Sequence, residues 1–259
     1  MSRAVPASPY PPLHRGAVAA RLVGGGLLLA LALSLVGWSI VRLANGSALT
    51  RWEDGVNSGL AAARTPTMNT LSHIGSYLAE TVTCIALLVI MVIVLRVWLG
   101  RWRESWTLFA AIVGELLVFL IVTALVDRPR PDVPHLDAAP PTSSFPSGHT
   151  GAAVAFYGCL AIIVLRQLRP RWLAVTVASV LFVVPIIVGA ARLYRGMHHP
   201  TDVLFGAIGG GLWLALVLVT LLPRVRDDGE PDAPDAVPGR RERQVADVRT
   251  STGVLRSME

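Results

Sequence analysis

Histidine, arginine and aspartate side chains cluster at a few points of a chain that is otherwise strongly apolar. His149 ends the tetrapeptide Pro-Ser-Gly-His, while Arg192, His198 and Asp202 follow a later apolar run and Arg130 follows an earlier one. Ionisable residues are costly in a bilayer, so such residues at the edges of apolar runs indicate a functional site. Two histidines, two arginines and an aspartate without metal-ligand spacing favour phosphate chemistry through a histidine nucleophile. A phosphorylated lipid is the expected substrate.

These segments resemble the three-part signature of the type-2 phosphatidic acid phosphatase family, the membrane-bound lipid phosphate phosphatases. The first motif of that family ends in Arg-Pro, which Arg130 and the proline after it match. The second motif, Pro-Ser-Gly-His, is matched in full at residues 146–149. The third motif has Arg, five residues, His, three residues and Asp, and Arg192, His198 and Asp202 stand at those spacings.

Two positions depart from the signature, although the resemblance extends over about residues 45 to 222. Thr123 stands where the first motif has Lys, and Ala191 stands where the third motif has Ser. The chain contains no lysine, so the first change also fits a general preference for arginine. Thr123 predicts weaker phosphate binding, and Arg128 is the candidate to supply the missing positive charge.

The resemblance implies a role for each matched residue. We expect His198 to attack phosphorus, while Asp202 accepts the N–H of its ring and fixes the tautomer. His149 is expected to protonate the departing lipid oxygen and later to deprotonate the attacking water. Arg130 and Arg192 are expected to bind the phosphate oxygens through their planar guanidinium groups.

Four further residues stand beside these motifs. Ser147 and Gly148 precede the predicted fourth span, where free N–H groups and the helix dipole favour an anion. Arg195 is expected either to add positive potential at the mouth of the site or to be an exposed interfacial residue. His199 matches a variable position of the family, and we interpret it as lining the site. We expect neither a metal nor another cofactor.

Other polar residues lie outside the three motifs. Glu115 lies in the middle of the third predicted span, where such a carboxylate usually faces the interior and is hydrogen-bonded. We expect a structural pair, with a role in substrate binding or proton transfer as the alternative. Asp132, His135 and Asp137 lie in a Pro-rich loop and are expected to shape or cover the site.

The elements that must position these residues are membrane spans. The chain is 53% hydrophobic and 15% charged, with a mean hydropathy of +0.56. Crossing about 30 Å of hydrocarbon takes about 20 apolar residues. Six runs of suitable length occur near 22–43, 76–98, 105–126, 150–167, 172–191 and 202–222. The sequence therefore predicts an all-α bundle of six transmembrane helices over residues 22–222, with the site between the third to sixth spans.

An amphipathic helix is predicted between the first two spans. Leu49, Trp52, Val56 and Leu60 recur at helical spacing, with polar residues such as Glu53 between them. This pattern is typical of a helix that lies in the membrane interface. Either the helix forms a rim that guides lipid into the site, or it is a connector that only shields its apolar face.

Arginine placement predicts the orientation of the bundle. Arginines concentrate in the N-terminal arm (1–21), in the second-to-third and fourth-to-fifth loops, and in the tail (223–259). We expect this side and both termini to be cytoplasmic, so the site faces the extracytoplasmic side of the cell membrane. The tail has few large apolar residues and is expected to be disordered. The net charge of +6 is explained by arginines that flank spans, so nucleic-acid binding is not expected.

The expected activity is metal-independent hydrolysis of a membrane lipid phosphate or pyrophosphate. The resemblance implies phosphatidic acid, phosphatidylglycerol phosphate or polyprenyl pyrophosphate as substrates, and the sequence does not choose among them. A lipid phosphotransferase that uses the same phosphohistidine is one alternative. A catalytically weak lipid-phosphate binding or transport protein is another, and Thr123 is the residue that favours it.

Overall fold

The computed structural model describes residues 14–44 and 46–222, and within these ranges the secondary structure is entirely helical. The helices are α1 (Arg15–Leu43), α2 (Ala48–Ala62), α3 (Pro66–Tyr77), α4 (Thr81–Leu99), α5 (Arg103–Leu125), α6 (Gly148–Gln167), α7 (Arg171–Tyr194) and α8 (Pro200–Leu221). Six of them, α1 and α4 to α8, are long and apolar enough to cross a membrane. The predicted all-α, six-span fold is confirmed. The predicted disordered tail (223–259) and most of the predicted N-terminal arm lie outside the described residues.

Two helices, rather than the single predicted one, connect the first two spans. α2 contains the predicted amphipathic segment, and α3 follows it after a short turn in which the side chain of Thr65 accepts a hydrogen bond from the backbone N–H of Met68 at 3.2 Å. The second span begins at Thr81, not near residue 76, because Glu80 caps it. The carboxylate of Glu80 accepts hydrogen bonds from two backbone N–H groups of the first turn, at 3.0 and 3.3 Å.

α6 lies at the centre of the bundle, where it contacts α5, α7 and α8. Glycines allow α8 to approach it closely. A Cβ at Gly206 would lie 2.5 Å from the carbonyl oxygen of Ser147, and one at Gly210 would lie 2.6 Å from that of Gly151. The backbone N–H of Ser147 also donates to the carbonyl oxygen of Asp202 at 2.9 Å. Through these contacts the second and third motifs meet at one end of the bundle.

Candidate active site

A cavity of about 590 Å³ opens at that end of the bundle and extends between α4, α5 and α6. Four of the predicted site residues line its polar part, namely Arg130, His149, Arg192 and His198. Side chains of α4 and α5 form a mostly apolar wall beside them. Cavities of this size with a few convergent polar groups are typical of small-ligand sites.

The two arginines of the cavity keep donors that no described residue accepts. A terminal nitrogen of Arg130, Nη1, donates to the carbonyl oxygen of Met197 at 2.7 Å. The corresponding nitrogen of Arg192 donates to Ser76 Oγ and to Asp137 Oδ2, both at 2.9 Å. The Nε of each arginine is buried and has no hydrogen-bond partner within the described part of the chain. Because buried donors are nearly always satisfied, these two indicate a place for an anion.

His198 is buried at the same end of the cavity and has a defined tautomer. Its Nδ1 lies 2.8 Å from the carbonyl oxygen of Ser144, which can only accept, so Nδ1 carries the proton and Nε2 keeps its lone pair. Burial, followed by the positive charges of Arg192 and Arg130, lowers the pKa of His198 well below its ordinary value. The ring is therefore neutral, as a nucleophile must be.

The predicted hydrogen bond from His198 to Asp202 is not formed. His198 Nδ1 lies 3.9 Å from Asp202 Oδ2, and the carbonyl group of Ser144 takes the expected place of the carboxylate. Asp202 instead holds the start of α8, where its Oδ2 accepts the backbone N–H of His199 at 2.8 Å and lies 3.2 Å from His199 Nδ1. His199 is therefore tied to this helix start and, contrary to our prediction, does not appear among the described residues that line the cavity.

Arg128 belongs to a buried ionic cluster that the sequence did not reveal. Its two terminal nitrogens donate to Glu53 Oε2 at 2.6 Å and to Asp202 Oδ1 at 2.5 Å, and one of them also donates to Thr201 Oγ1 at 2.7 Å. Glu53 Oε1 accepts from the backbone N–H of Thr201 at 3.0 Å and from its hydroxyl at 2.6 Å. The prediction that Arg128 replaces the missing lysine is wrong, because two carboxylates already bind its guanidinium group.

Glu53 also changes the interpretation of α2. The helix turns Glu53 and Asn57 into the protein, while its apolar residue Trp52 is 55% exposed. The interpretation of α2 as a connector that only shields its apolar face is therefore wrong. The only sequence signal for Glu53 was its position beside other polar residues of an amphipathic helix, and this signal did not distinguish a buried carboxylate from a solvated one.

The start of α6 is built by small residues. Ser147 is fully buried, and its Oγ lies 2.9 Å from Thr150 Oγ1, so its hydroxyl serves the helix start. Gly148 does line the cavity, and a Cβ there would come within 2.8 Å of the ring of Phe119. Glycine at this position lets α5 pack beside the first turn of α6, whose backbone N–H groups have no helical acceptor.

Arg195 is buried, so its interpretation as an exposed interfacial residue is wrong. It is 4% exposed and donates to the carboxylate of Asp137 at 2.8 and 2.6 Å and to Ser72 of α3 at 3.2 Å. Burial alone would raise the pKa of Asp137, but the hydrogen bond and charge of Arg195, with the charge of Arg192, lower it overall. Asp137 thus links the loop after α5 to both arginines and holds that loop over the site.

Thr123 faces a second cavity, of about 580 Å³, which lies between the end of α5 and the loop at residues 140–143. Arg128 and Arg130 line the same cavity. The hydroxyl oxygen of Thr123 is buried and has no partner among the described residues. A longer cationic side chain at this position would extend into the space beside Arg130.

The chain belongs to the PAP2 superfamily, and the family model matches residues 104–226. It is 30% identical over 168 residues to undecaprenyl-diphosphatase BcrC of Bacillus subtilis (strain 168), a match that covers 61% of this chain and 79% of the relative. It is 27% identical over 139 residues to phosphatidylglycerophosphatase B of the same strain, covering 51% of this chain and 64% of the relative. A lipid A 1-phosphatase of Rhizobium etli is 28% identical over 136 residues, covering 49% of this chain and 52% of the relative.

Solved structures share the same fold. The crystal structure of a transmembrane PAP2 type phosphatidylglycerolphosphate phosphatase from Bacillus subtilis superposes with a TM-score of 0.65 at 23% identity, covering 73% of this chain and 93% of that one. The structure of LpxE from Aquifex aeolicus gives a TM-score of 0.50 at 24% identity, covering 63% of this chain and 93% of that one. At these identities the likeness concerns the fold alone.

Proposed function

We propose that the protein hydrolyses a phosphomonoester or pyrophosphate of a membrane lipid through a phosphohistidine at His198. One observation carries this proposal: two arginines whose Nε–H groups are buried and unpaired among the described residues, and an imidazole with a free Nε2, line the same cavity. The arginines offer sites for phosphate oxygens, and the imidazole offers a lone pair for phosphorus. The apolar wall between α4 and α5 offers a place for the lipid part of the substrate.

The reaction takes two steps in which one histidine is the nucleophile and the other moves protons. In the first step, Nε2 of His198 forms a bond to phosphorus, the bond to the lipid oxygen breaks, and protonated His149 gives that oxygen its proton. In the second step, neutral His149 takes a proton from water, the water oxygen bonds to phosphorus, and the bond to His198 breaks. Inorganic phosphate leaves, and both rings return to their starting state.

The surrounding groups stabilise charge during these steps. The carbonyl oxygen of Ser144 keeps the proton on Nδ1 of His198 and interacts favourably with the ring when it becomes positive. Arg130 and Arg192 carry fixed positive charge where negative charge develops on the phosphoryl oxygens, and such preorganised donors are a large source of catalysis. In this scheme Asp202 is a positioning residue, because it fixes the start of α8 and not the tautomer of His198.

The substrate class of this proposal follows the relatives. They are named for undecaprenyl diphosphate, phosphatidylglycerophosphate and lipid A, which are all membrane lipids with a phosphate or pyrophosphate. For this chain we propose phosphatidic acid, phosphatidylglycerol phosphate or polyprenyl pyrophosphate. A catalytically weak binding or transport protein is the second candidate, because Thr123 leaves the first motif without its lysine and has an unpaired hydroxyl.

We further propose that the site faces the outside of the cell membrane. Arg96, Arg101 and Arg103 lie around the loop between α4 and α5, at the end of the bundle opposite the cavity, and positive loops favour the cytoplasm. A cysteine introduced at Ala139, in the loop over the site, should react with an impermeant thiol reagent in intact cells. Labelling only after permeabilisation would reverse this orientation.

Phosphate release by the purified protein tests the proposed activity. The protein in detergent, with EDTA present, is given each of the proposed lipids, and His198→Ala serves as the control. We expect release that persists with chelator and disappears in the control. Tight lipid binding without release would show a binding protein, and transfer of the phosphate to an added alcohol in place of water would show a phosphotransferase.

A further inference from the structure

Glu115 stands in the middle of α5 without a hydrogen bond or ion pair to any described residue. It is only 8% exposed, and it lines the cavity that also contains Arg130 and His149. The structural pair that we predicted for it is therefore wrong. A buried carboxyl group without a partner is costly, so its presence on the cavity wall indicates a partner that the ligand supplies.

The position of this carboxyl group is built into the packing of α5 on α6. A Cβ at Gly151 would collide with Glu115 Oε1, so the glycine leaves the space that the carboxyl group occupies. Gly151 follows Gly148, which lines the phosphate end of the cavity, by three residues of α6. Three helical residues rise about 4.5 Å, so Glu115 lies about one helical turn deeper in the membrane than the candidate phosphate site.

Charge is distributed unevenly around the cavity. Arg130 and Arg192 stand at one end, where Asp137 is paired with Arg192 and Arg195, whereas Glu115 and Glu80 stand on the wall that α4 and α5 form. One oxygen of Glu80 caps α4, so of the three acids only Glu115 lacks a partner within the described residues. A ligand that complements this arrangement carries phosphate at one end and a hydrogen-bond donor a few bonds away.

We propose that Glu115 is a specificity-determining residue that accepts a hydrogen bond from a hydroxyl, amide or ammonium group next to the phosphate of the lipid. This inference rests on the proposed function and narrows its substrate class to glycerolipid or sphingolipid phosphates with such a donor. A polyprenyl phosphate has no donor near its phosphate and would leave Glu115 buried without a partner. Sites built to bind a donor discriminate strongly against analogues that lack it, because the site group is left unpaired.

The test compares two substrates that differ in one hydroxyl group. They are 1-acyl-lysophosphatidic acid, whose free hydroxyl is next to the phosphorylated carbon, and its 2-deoxy analogue with the same acyl chain. For the wild type we expect kcat/KM to be at least about 10-fold higher with the hydroxyl lipid, which is the order of effect that one hydrogen bond in a buried site can give. In Glu115→Leu the ratio should fall to about 1, mainly through loss of activity toward the hydroxyl lipid.

Two variants separate specificity from folding. Leu116→Met changes a neighbouring side chain of the cavity wall without a polar group and should keep the wild-type ratio. Gly151→Ala should lower the ratio, because the new methyl group displaces the carboxyl group of Glu115. If Glu115→Leu does not fold, Glu115→Met, which has similar length but no oxygen that can accept a hydrogen bond, provides the comparison together with Gly151→Ala. Thermal unfolding in detergent checks that both variants are folded.

An unchanged ratio in the folded Glu115 and Gly151 variants overturns the role of Glu115, and so does a wild type that hydrolyses both lipids equally. If the wild type hydrolyses no lipid phosphate at all, the proposed function fails. In that case the equilibrium affinities of the wild type for the same two lipids are measured in place of kcat/KM. Equal affinities would overturn the role of Glu115 as well.

Discussion

Arg128 and Arg130 are two residues apart, yet their guanidinium groups have opposite surroundings. Arg128 is bound by the carboxylates of Glu53 and Asp202 at 2.6 and 2.5 Å. Arg130 donates to one carbonyl oxygen, that of Met197, and its buried Nε has no partner among the described residues. The comparison shows that one arginine of the Arg-Pro-Arg-Pro segment holds helices together, while the other is left for a ligand.

The neighbouring histidines His198 and His199 repeat this division. The ring of each uses Nδ1, His199 toward Asp202 and His198 toward the carbonyl group of Ser144, but of the two only His198 lines the cavity. In each neighbouring pair, therefore, one member serves the start of α8. The other keeps an open nitrogen at the cavity, and the predictions below address this difference.

The largest effect on stability is expected from Arg128→Met. This change leaves Glu53 and Asp202 buried without their counterion, and removing one partner of a buried ion pair costs about 3–5 kcal/mol. The matched variant Arg130→Met removes no ion pair, so its free energy of unfolding should be close to that of the wild type. Unfolding in detergent, followed by circular dichroism, measures both. Equal destabilisation by the two changes would contradict the comparison.

Arg130 should matter more for catalysis than for stability, and so should Arg192. Arg130→Met and Arg192→Met each remove fixed charge and donors from the cavity, and loss of one such donor lowers kcat about 100- to 1,000-fold. We expect both variants to fold and to show this loss when phosphate release is measured. Activity within a few-fold of the wild type in both variants would show that the phosphate binds elsewhere.

The pH dependence of His198 gives a third comparison. Because the pKa of His198 is well below its ordinary value, the ring should stay neutral as the pH falls from 8 to about 6, past the ordinary value of about 6.5. NMR titration of the free protein, with the signal assigned from His198→Asn, should show no protonation in that range. In Arg192→Met one cause of the lowering is gone, so the ring should titrate at higher pH than in the wild type. A wild-type signal that titrates near pH 6.5 would mean that the ring is solvated.

The smallest effect is expected at Thr123. Since Arg128 is committed to two carboxylates, only a new side chain can replace the missing charge, and Thr123→Lys places one in the cavity that Arg130 also lines. We expect a several-fold lower KM with little change in kcat. Thr123→Met, which adds length without charge, is the control. If both variants change KM alike, packing and not charge determines the effect.

The spans could be predicted from the sequence because apolar length alone distinguishes them. The orientation of α2 could not be predicted, because the membrane interface accepts the apolar face that a soluble protein would bury. The apolar residues therefore did not show that Glu53 faces the interior of the protein. The hydrogen-bond partner of His198 was missed for another reason. A spacing of one helical turn joins His198 to Asp202 only if the chain is helical throughout, and His198 lies in the bend before α8.

The residues of the cavity were predicted more successfully than their roles. Arg130, His149, Arg192 and His198 came from motif spacing, and the structure brings them to one cavity. The sequence did not show which neighbouring polar residues are already paired. That property depends on contacts between distant segments, such as Arg128 with Glu53 and Arg195 with Asp137.

The most direct test of the central claim is trapping of the phosphoenzyme. The protein is mixed with an aryl phosphate or a lipid pyrophosphate labelled in the transferred phosphate, quenched in alkali, where phosphohistidine survives, and scored for label on the protein. We predict label on the wild type and none on His198→Ala. His149→Ala should carry more label than the wild type, because a substrate with a good leaving group can still phosphorylate it while it activates water poorly. Label on folded His198→Ala would contradict His198 as the nucleophile. So would the absence of label from both the wild type and His149→Ala while phosphate is released.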